Sequence, residues 1–198
     1  MAKRTVESGY DEIAERYLAT KDDSTLIFAK ELEKQLNPGA KILDAGCGAG
    51  IPIAKYLSER FEVFGIDISA KQIELAKKNV PNGIFKKADF LESGFGNDFF
   101  DGIICLYALI HVDRKRHLEI LKEFYRVLKS PGYLMICMGL EEWEGEEEYH
   151  GTKMYWSHFG RKTNLELLKR AGFEILSEKP WNPETGPNDR HLFVLCRK

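Results

Sequence analysis

Three glycines at alternate positions, Gly46, Gly48 and Gly50, follow a short apolar run and the carboxylate Asp44. A second carboxylate, Asp67, stands 23 residues after Asp44. Glycine is needed where a backbone turns tightly, or where a ligand lies against it with no Cβ in the way. An ionised carboxylate accepts hydrogen bonds and donates none, which suits a pair of vicinal hydroxyls. A glycine turn followed at this distance by an acid is the chemistry of a nucleoside site in a strand–helix–strand unit, with the acid on the ribose. Spacing narrows the ligand further. A dinucleotide turn reads Gly-x-Gly-x-x-Gly, which would place its third glycine at position 51, and that position is Ile51.

The elements that hold these residues follow from patterning. Lys41–Ala45 reads as a strand and Ile51–Leu57 as a helix, with Pro52 in its first turn. The start of that helix is expected to offer free N–H groups and a positive dipole end. Phe61–Ile66 reads as a second strand ending at Asp67, and Ser69-Ala70-Lys71-Gln72 as a capping box opening the next helix. Ile84–Ala88 is a third strand, followed by Asp89 and Phe90. Phe99–Leu106 is apolar on both faces, as buried parallel strands are. A helix is expected from Asp113, a turn at Ser130-Pro131-Gly132, and a fifth strand over Tyr133–Met138. Thr163-Asn164-Leu165-Glu166 reads as another capping box, and Gly172 as the end of its helix. Phe173–Leu176 and His191–Cys196 are the last two strands, joined by a loop that three prolines stiffen. Ahead of the first strand lie two helical pieces. The first is short, with Tyr10, Ile13, Ala14 and Tyr17 on one face; the second carries Leu26, Ala29, Leu32 and Leu36. Alternating strands and helices imply an α/β fold, a mostly parallel sheet with helices on both faces.

Composition bounds the rest. A chain of 198 residues fits one domain with a full core. Its net charge of −2 gives no basic footprint for nucleic acid. No apolar run reaches membrane-spanning length and no signal-peptide pattern opens the chain, so a cytoplasmic setting is expected. Its four cysteines, Cys47, Cys105, Cys137 and Cys196, are scattered, with neither a metal-site nor a disulfide pattern. Residues 141–148 hold six glutamates, read either as a solvated loop or as an acidic rim to a site. Trp143, Tyr149, Tyr155, Trp156 and His158 form an aromatic cluster suited to the wall of a small-molecule pocket.

The run from Lys41 to Gly50, with Asp44 two residues ahead of Gly-x-Gly-x-Gly, resembles motif I of the class I S-adenosylmethionine-dependent methyltransferases. The resemblance extends over about residues 40–196. It implies a three-layer, Rossmann-like sheet of seven strands with the last antiparallel, and transfer of the sulfonium methyl group by in-line displacement. It divides the single domain into an N-terminal helical cap (1–37), a cofactor-binding core (40–138) and an acceptor-side lid with the last two strands (139–198). It implies a cofactor site of Gly46, Cys47, Gly48, Gly50, Asp67, Ile68, Ala88, Asp89, Phe90 and Leu106, with Asp89 on the adenine amino group, Phe90 on the ring, and Tyr10 and Tyr17 folded over the methionine end. The Asn/Asp-Pro-Pro-aromatic signature of some amine-methylating members is absent; Leu106 and Tyr107 stand there. A base for the acceptor is expected among His111, Tyr155 and His158. The acceptor is expected to be a small molecule, with no nucleic acid, membrane or metal. Two alternatives remain at this level: a nicotinamide-dependent oxidoreductase, and a catalytically silent S-adenosylmethionine-binding subunit of a complex.

Overall fold

A computed structural model describes residues 2–181 and 190–198. Nine strands and six α-helices are found among them. Seven strands form one sheet: β1 (Lys41–Ala45), β2 (Glu62–Asp67), β3 (Ile84–Lys87), β4 (Phe100–Cys105), β5 (Leu128–Gly139), β8 (Glu174–Trp181) and β9 (His191–Arg197). Their spatial order is β3-β2-β1-β4-β5-β9-β8. Strand β9 runs antiparallel to both neighbours, and the β1–β5 pairings are parallel. The strand order reverses at β1, which has β2 on one side and β4 on the other. Ligands in open α/β sheets bind at such a switch point, outside the C-terminal ends of the strands.

Alternation along the strands sorts side chains into two apolar layers. Leu43, Ile103, Cys105, Leu134 and Ile136 face a core closed by α5 (His117–Val127) and α6 (Arg161–Ala171). Ile42, Ile104, Met135 and Cys137 face the other, under α2 (Leu26–Glu33), α3 (Ile53–Leu57) and α4 (Ala70–Asn79). Ser69 caps α4, its hydroxyl accepting from the Gln72 amide, and Gly172 ends α6 in the left-handed region at φ 108°.

Several expectations are corrected. The short piece around Tyr10 is the second half of one 17-residue helix, α1 (Ala2–Leu18). Val6 and Ile13 of α1 bury themselves against Met154, and it is this packing rather than local propensity that supports the helix. The glutamate run is a strand. Strand β6 (Trp143–Tyr149) pairs with β7 (Thr152–His158) in a two-stranded hairpin, separate from the main sheet. His150 and Gly151 form its two-residue turn with φ 50° and 82°, the geometry that matches strand twist. Helix α3 is only five residues long and begins after Pro52, which is its N-cap. Ser130-Pro131-Gly132 lies within β5, where the pairing with β4 is irregular, and is not a turn between elements. Helix α6 starts two residues before the expected box, and Asn164 turns inward to donate to the Gly139 and Phe159 carbonyls. Most of the proline-containing loop, 182–189, lies outside the described residues.

Candidate active site

A cavity of about 1210 Å³ opens above the switch point, between the ends of β1, β2 and β4 and a roof formed by α1 and the hairpin. Its floor is the glycine turn. Gly46 has φ +79°, and a Cβ there would stand 2.2 Å from the Ala108 Cβ. Gly50, also left-handed, packs instead on Ala76 and Val80 of α4 and does not line the cavity, which corrects its expected ligand contact. Four amides of the turn are already engaged. Those of Gly46 and Cys47 donate to the Ile66 carbonyl (2.8 and 3.0 Å), that of Gly50 to the Cys47 carbonyl (3.0 Å), and that of Gly48 to Asp67 Oδ2 (3.0 Å). The free donors expected here are therefore mostly absent, and α3 starts too late to replace them. A pyrophosphate needs such donors; a nucleoside with no phosphate does not.

Asp67 closes β2 beside this turn. Its Oδ1 accepts from the Ser69 amide at 2.9 Å and its Oδ2 from Gly48, and each oxygen keeps a further lone pair for a hydroxyl. Burial pushes its carboxyl up to about 6, and the two amides pull it back. Gln72 lies beneath Gly48, 1% exposed, with both side-chain polar atoms lacking partners among the described residues. A buried amide left unsatisfied costs about 1–3 kcal/mol, so this one marks a place for a polar ligand atom. Beyond β3, Asp89 caps a short 3-10 turn with Oδ1 on the Leu91 amide, and Phe90 packs edge-on to Phe124 at 5.6 Å. Ala88, Asp89, Phe90, Ile68, Cys47 and Leu106 all line the cavity. The floor fits a purine nucleoside: carboxylate for ribose, acceptor and flat ring for the base, and glycine where a Cβ would intrude.

A sequence family described as a methyltransferase domain matches residues 43–136. A Bacillus subtilis protein named "Putative methyltransferase YqeM" is 32% identical over 170 residues, which cover 79% of this chain and 67% of that protein. The 24-methylenesterol C-methyltransferase 2 of Arabidopsis thaliana is 31% identical over 163 residues, 73% of this chain but 44% of that protein, so the chain spans under half the length of that relative. A solved structure of an S-adenosylmethionine-dependent methyltransferase from Methanosarcina mazei superimposes with a TM-score of 0.75 at 24% identity, covering 85% of this chain and 96% of that one.

The chain belongs to the class I S-adenosylmethionine-dependent methyltransferases.

The roof of this methyltransferase is aromatic. The Tyr10 hydroxyl lies 2.9 Å from His111 Nε2, and His111 Nδ1 lies 2.7 Å from the Tyr155 carbonyl oxygen. A carbonyl only accepts, so Nδ1 carries the proton, Nε2 is bare, and Tyr10 donates to it. Burial holds His111 neutral, lowering it to about 4. The Tyr17 ring meets Tyr10 at 5.3 Å and Tyr149 at 6.0 Å. Trp156 stands 5.3 Å from His111 and 5.6 Å from Tyr149. Trp143, Tyr149, Trp156 and His158 line the cavity as expected. His158 is lowered chiefly by burial, and its Nδ1 donates to the Glu141 carbonyl at 2.8 Å.

Tyr155 is the exception. Strand alternation turns it to the outer face of the hairpin, where its hydroxyl donates to Glu144 Oε1 at 2.8 Å. It reaches the site only through its backbone carbonyl, which corrects its place among the bases. The glutamate run is likewise divided. Glu141, Glu142, Glu147 and Glu148 line the cavity, Glu142 paired with Arg114 (2.6 Å) and Glu141 with Arg190 (2.8 Å), while Glu144, off the lining, pairs with Arg114 at 3.1 Å.

Residues that sequence reasoning missed are Lys21, Gln72, Tyr107 and His191, all in the lining. Tyr107 follows β4 with φ +56°, uncommon for an aromatic residue, and its ring meets His191 at 4.9 Å. Nothing local in the sequence signals that conformation. Lys21 and Gln72 sit in segments that read as a helix end and a cap.

Proposed function

We propose that the protein transfers a methyl group from S-adenosylmethionine to a small-molecule acceptor held between the glycine turn and the aromatic roof. The observation that supports this most is the floor itself: a glycine turn whose amides are engaged, with Asp67, the orphan amide of Gln72, and Asp89 in sequence along one cavity. When bound, the cofactor supplies an electrophilic sulfonium methyl group. Asp67 would hold the ribose hydroxyls, Asp89 and Phe90 the adenine, and Cys47, Ile68, Ala88 and Leu106 the apolar walls. The chain would divide as cap (1–37), cofactor core (40–138) and acceptor side (139–198).

The work left to the protein is positioning and exclusion of water. Tyr10 and Tyr17 on α1 would close over the methyl end. Because the Tyr10 proton points at His111, the phenol oxygen meets an acceptor as a hydrogen-bond acceptor. A proton leaving the acceptor would pass to Tyr10 as Tyr10 gives its own to His111 Nε2. Two of the hairpin's glutamates, Glu147 and Glu148, line the acceptor side and disfavour a phosphate backbone there.

The test is formation of S-adenosylhomocysteine from S-adenosylmethionine across amines, phenols, thiols and carboxylates. Turnover with one class supports the proposal; no turnover with any, alongside tight, salt-sensitive binding of transfer RNA, would overturn the small-molecule reading. Within the active set, Trp156→Ala is expected to cut turnover at least about tenfold, since an aromatic wall is worth over 1 kcal/mol, with S-adenosylhomocysteine affinity unchanged. Tyr155→Phe should leave both unchanged, because only its hydroxyl, outside the cavity, is lost. A Tyr155→Phe variant as impaired as Trp156→Ala would contradict the placement.

Closure of α1 gives a further expectation. The helix is held to the body by a small apolar cluster, by the Tyr10–His111 bond, by Asp11, which accepts from the Ser69 hydroxyl and the Lys71 amide, and by contacts of Glu7 with Lys87 and of Glu12 with Thr152. Amide hydrogen exchange over residues 9–23 should slow when S-adenosylhomocysteine binds. Equal protection with and without ligand would show that the cap does not respond to the site.

A further inference from the structure

We infer that Trp143 and His158 form the subsite that selects the acceptor, and that it takes a flat aromatic or heteroaromatic ring carrying an N–H or O–H at its edge. This deepens the small-molecule reading above and rests on it. The two residues are the first of β6 and the last of β7, and they pair directly across the hairpin. Directly opposed side chains share one face of an antiparallel pair, with Cβ atoms about 4.5–5.5 Å apart. Both residues line the cavity, so that face is the inner one. Each ring rests on a glycine. Neither Gly139 nor Gly145 has a left-handed backbone, so backbone conformation does not demand glycine at either position. What the missing Cβ admits is the ring. A Cβ on Gly139 would stand 2.0 Å from His158 Nδ1, and one on Gly145 would stand 3.1 Å from Trp143 Cζ2. The imidazole is thus seated on the end of β5 and the indole along its own strand.

That seating decides what the imidazole offers. Its Nδ1 donates to the Glu141 carbonyl at 2.8 Å, which leaves Nε2 without a proton. Among the described residues no group donates to Nε2. Burial lowers the pKa of the ring, with the Arg114 charge adding to it, so the imidazole stays neutral and Nε2 stays an acceptor. The neighbouring carboxylates Glu141 and Glu142 are held by Arg190 and Arg114. Trp143 is 46% exposed, so much of its apolar surface is uncovered in the cavity. A ring laid on the indole would bring its edge to Nε2. An N–H or O–H at that edge gains a hydrogen bond. A carbonyl or carboxylate there meets a lone pair instead, and a saturated ring forgoes the stacking.

Calorimetry on protein saturated with S-adenosylhomocysteine tests this, because the cofactor floor is then filled and no methyl group is transferred. The probes are β-naphthol, its methyl ether and decahydro-β-naphthol, which in turn keep both features, lose the donor and lose the flat ring. β-Naphthol is expected to bind about fivefold or more tighter than either of the others, one hydrogen bond or one stacking contact being worth roughly that factor. His158→Leu should bring β-naphthol down to the level of its ether and leave the ether within about twofold. Trp143→Leu should weaken both aromatic probes by about fivefold and leave decahydro-β-naphthol within about twofold. Two-bond proton–nitrogen correlation NMR on the unaltered protein should show His158 protonated at Nδ1, a readout that does not depend on either variant folding. Equal binding of the three probes, no binding of any, variants that change nothing, or a proton on Nε2 would overturn the subsite while bound S-adenosylhomocysteine leaves the cofactor reading intact. Unaltered protein that binds no S-adenosylhomocysteine would overturn that reading and the subsite with it.

Discussion

Gly46→Ala is expected to lower the melting temperature by roughly 5–15 °C and to abolish S-adenosylhomocysteine binding at ordinary concentrations. Two effects add. A Cβ at φ +79° costs about 1–2 kcal/mol in backbone strain. The same Cβ would stand 2.2 Å from the Ala108 Cβ, at the start of the segment after β4, and forced overpacking costs about 1–3 kcal/mol. Relief would require the turn and the 106–108 segment to part, and both line the cavity. Gly39→Ala is the control: its φ is also +79°, yet no atom lies within 4 Å of the Cβ it would carry. It should show the strain alone. If the two variants melt together, close approach at Gly46 is not what selects glycine.

Asp67→Ala carries the second large effect. It should weaken S-adenosylhomocysteine and adenosine alike, by about 1.5–3 kcal/mol for the charged hydrogen bonds to the ribose. A further loss follows because the Gly48 and Ser69 amides, now held at 3.0 and 2.9 Å, would be released and the turn loosened. Calorimetry with S-adenosylhomocysteine and adenosine measures both losses. Unchanged adenosine affinity in Asp67→Ala would remove Asp67 from the ribose.

The floor of the cavity was legible in the chain because its residues lie in short range. Gly46, Asp67 and Asp89 each stand at or just past a strand end, and strand order in an α/β sheet brings strand ends together. The roof was legible in residue type and not in direction. Trp156 and Tyr155 are adjacent, and only pairing with Gly145 and Glu146 decides which one faces the cavity. The glutamates of β6 hid the strand, since Glu146, Glu147 and Glu148 in succession put charge on both faces and leave no apolar face to betray period two, and His150-Gly151 is an unusual sequence for a two-residue turn. Lys21 and Gln72 escaped notice for another reason. Each has an ordinary role in its own segment, and only three-dimensional proximity places both in the cavity lining, with the Gln72 side-chain amide unpartnered among the described residues.

The hairpin enters and leaves the sheet at neighbouring points: the Arg161 amide donates to the Leu140 carbonyl at 2.9 Å, so the ends of the 140–160 segment are already tied together. Such an insert is closed on itself. Replacing it by a hairpin of different length or composition would leave the registers of β5 and α6, and the whole nucleoside floor, where they are. Its constraints are the inward-facing Met154, where α1 rests, the Tyr155 carbonyl, which accepts from His111, and Ser157, which accepts from the Arg114 amide. On the proposed reading, cofactor recognition would be spread across three strands and resist piecemeal alteration, while the acceptor side would reside on a separable unit of about twenty residues, a length within the usual range for one hairpin.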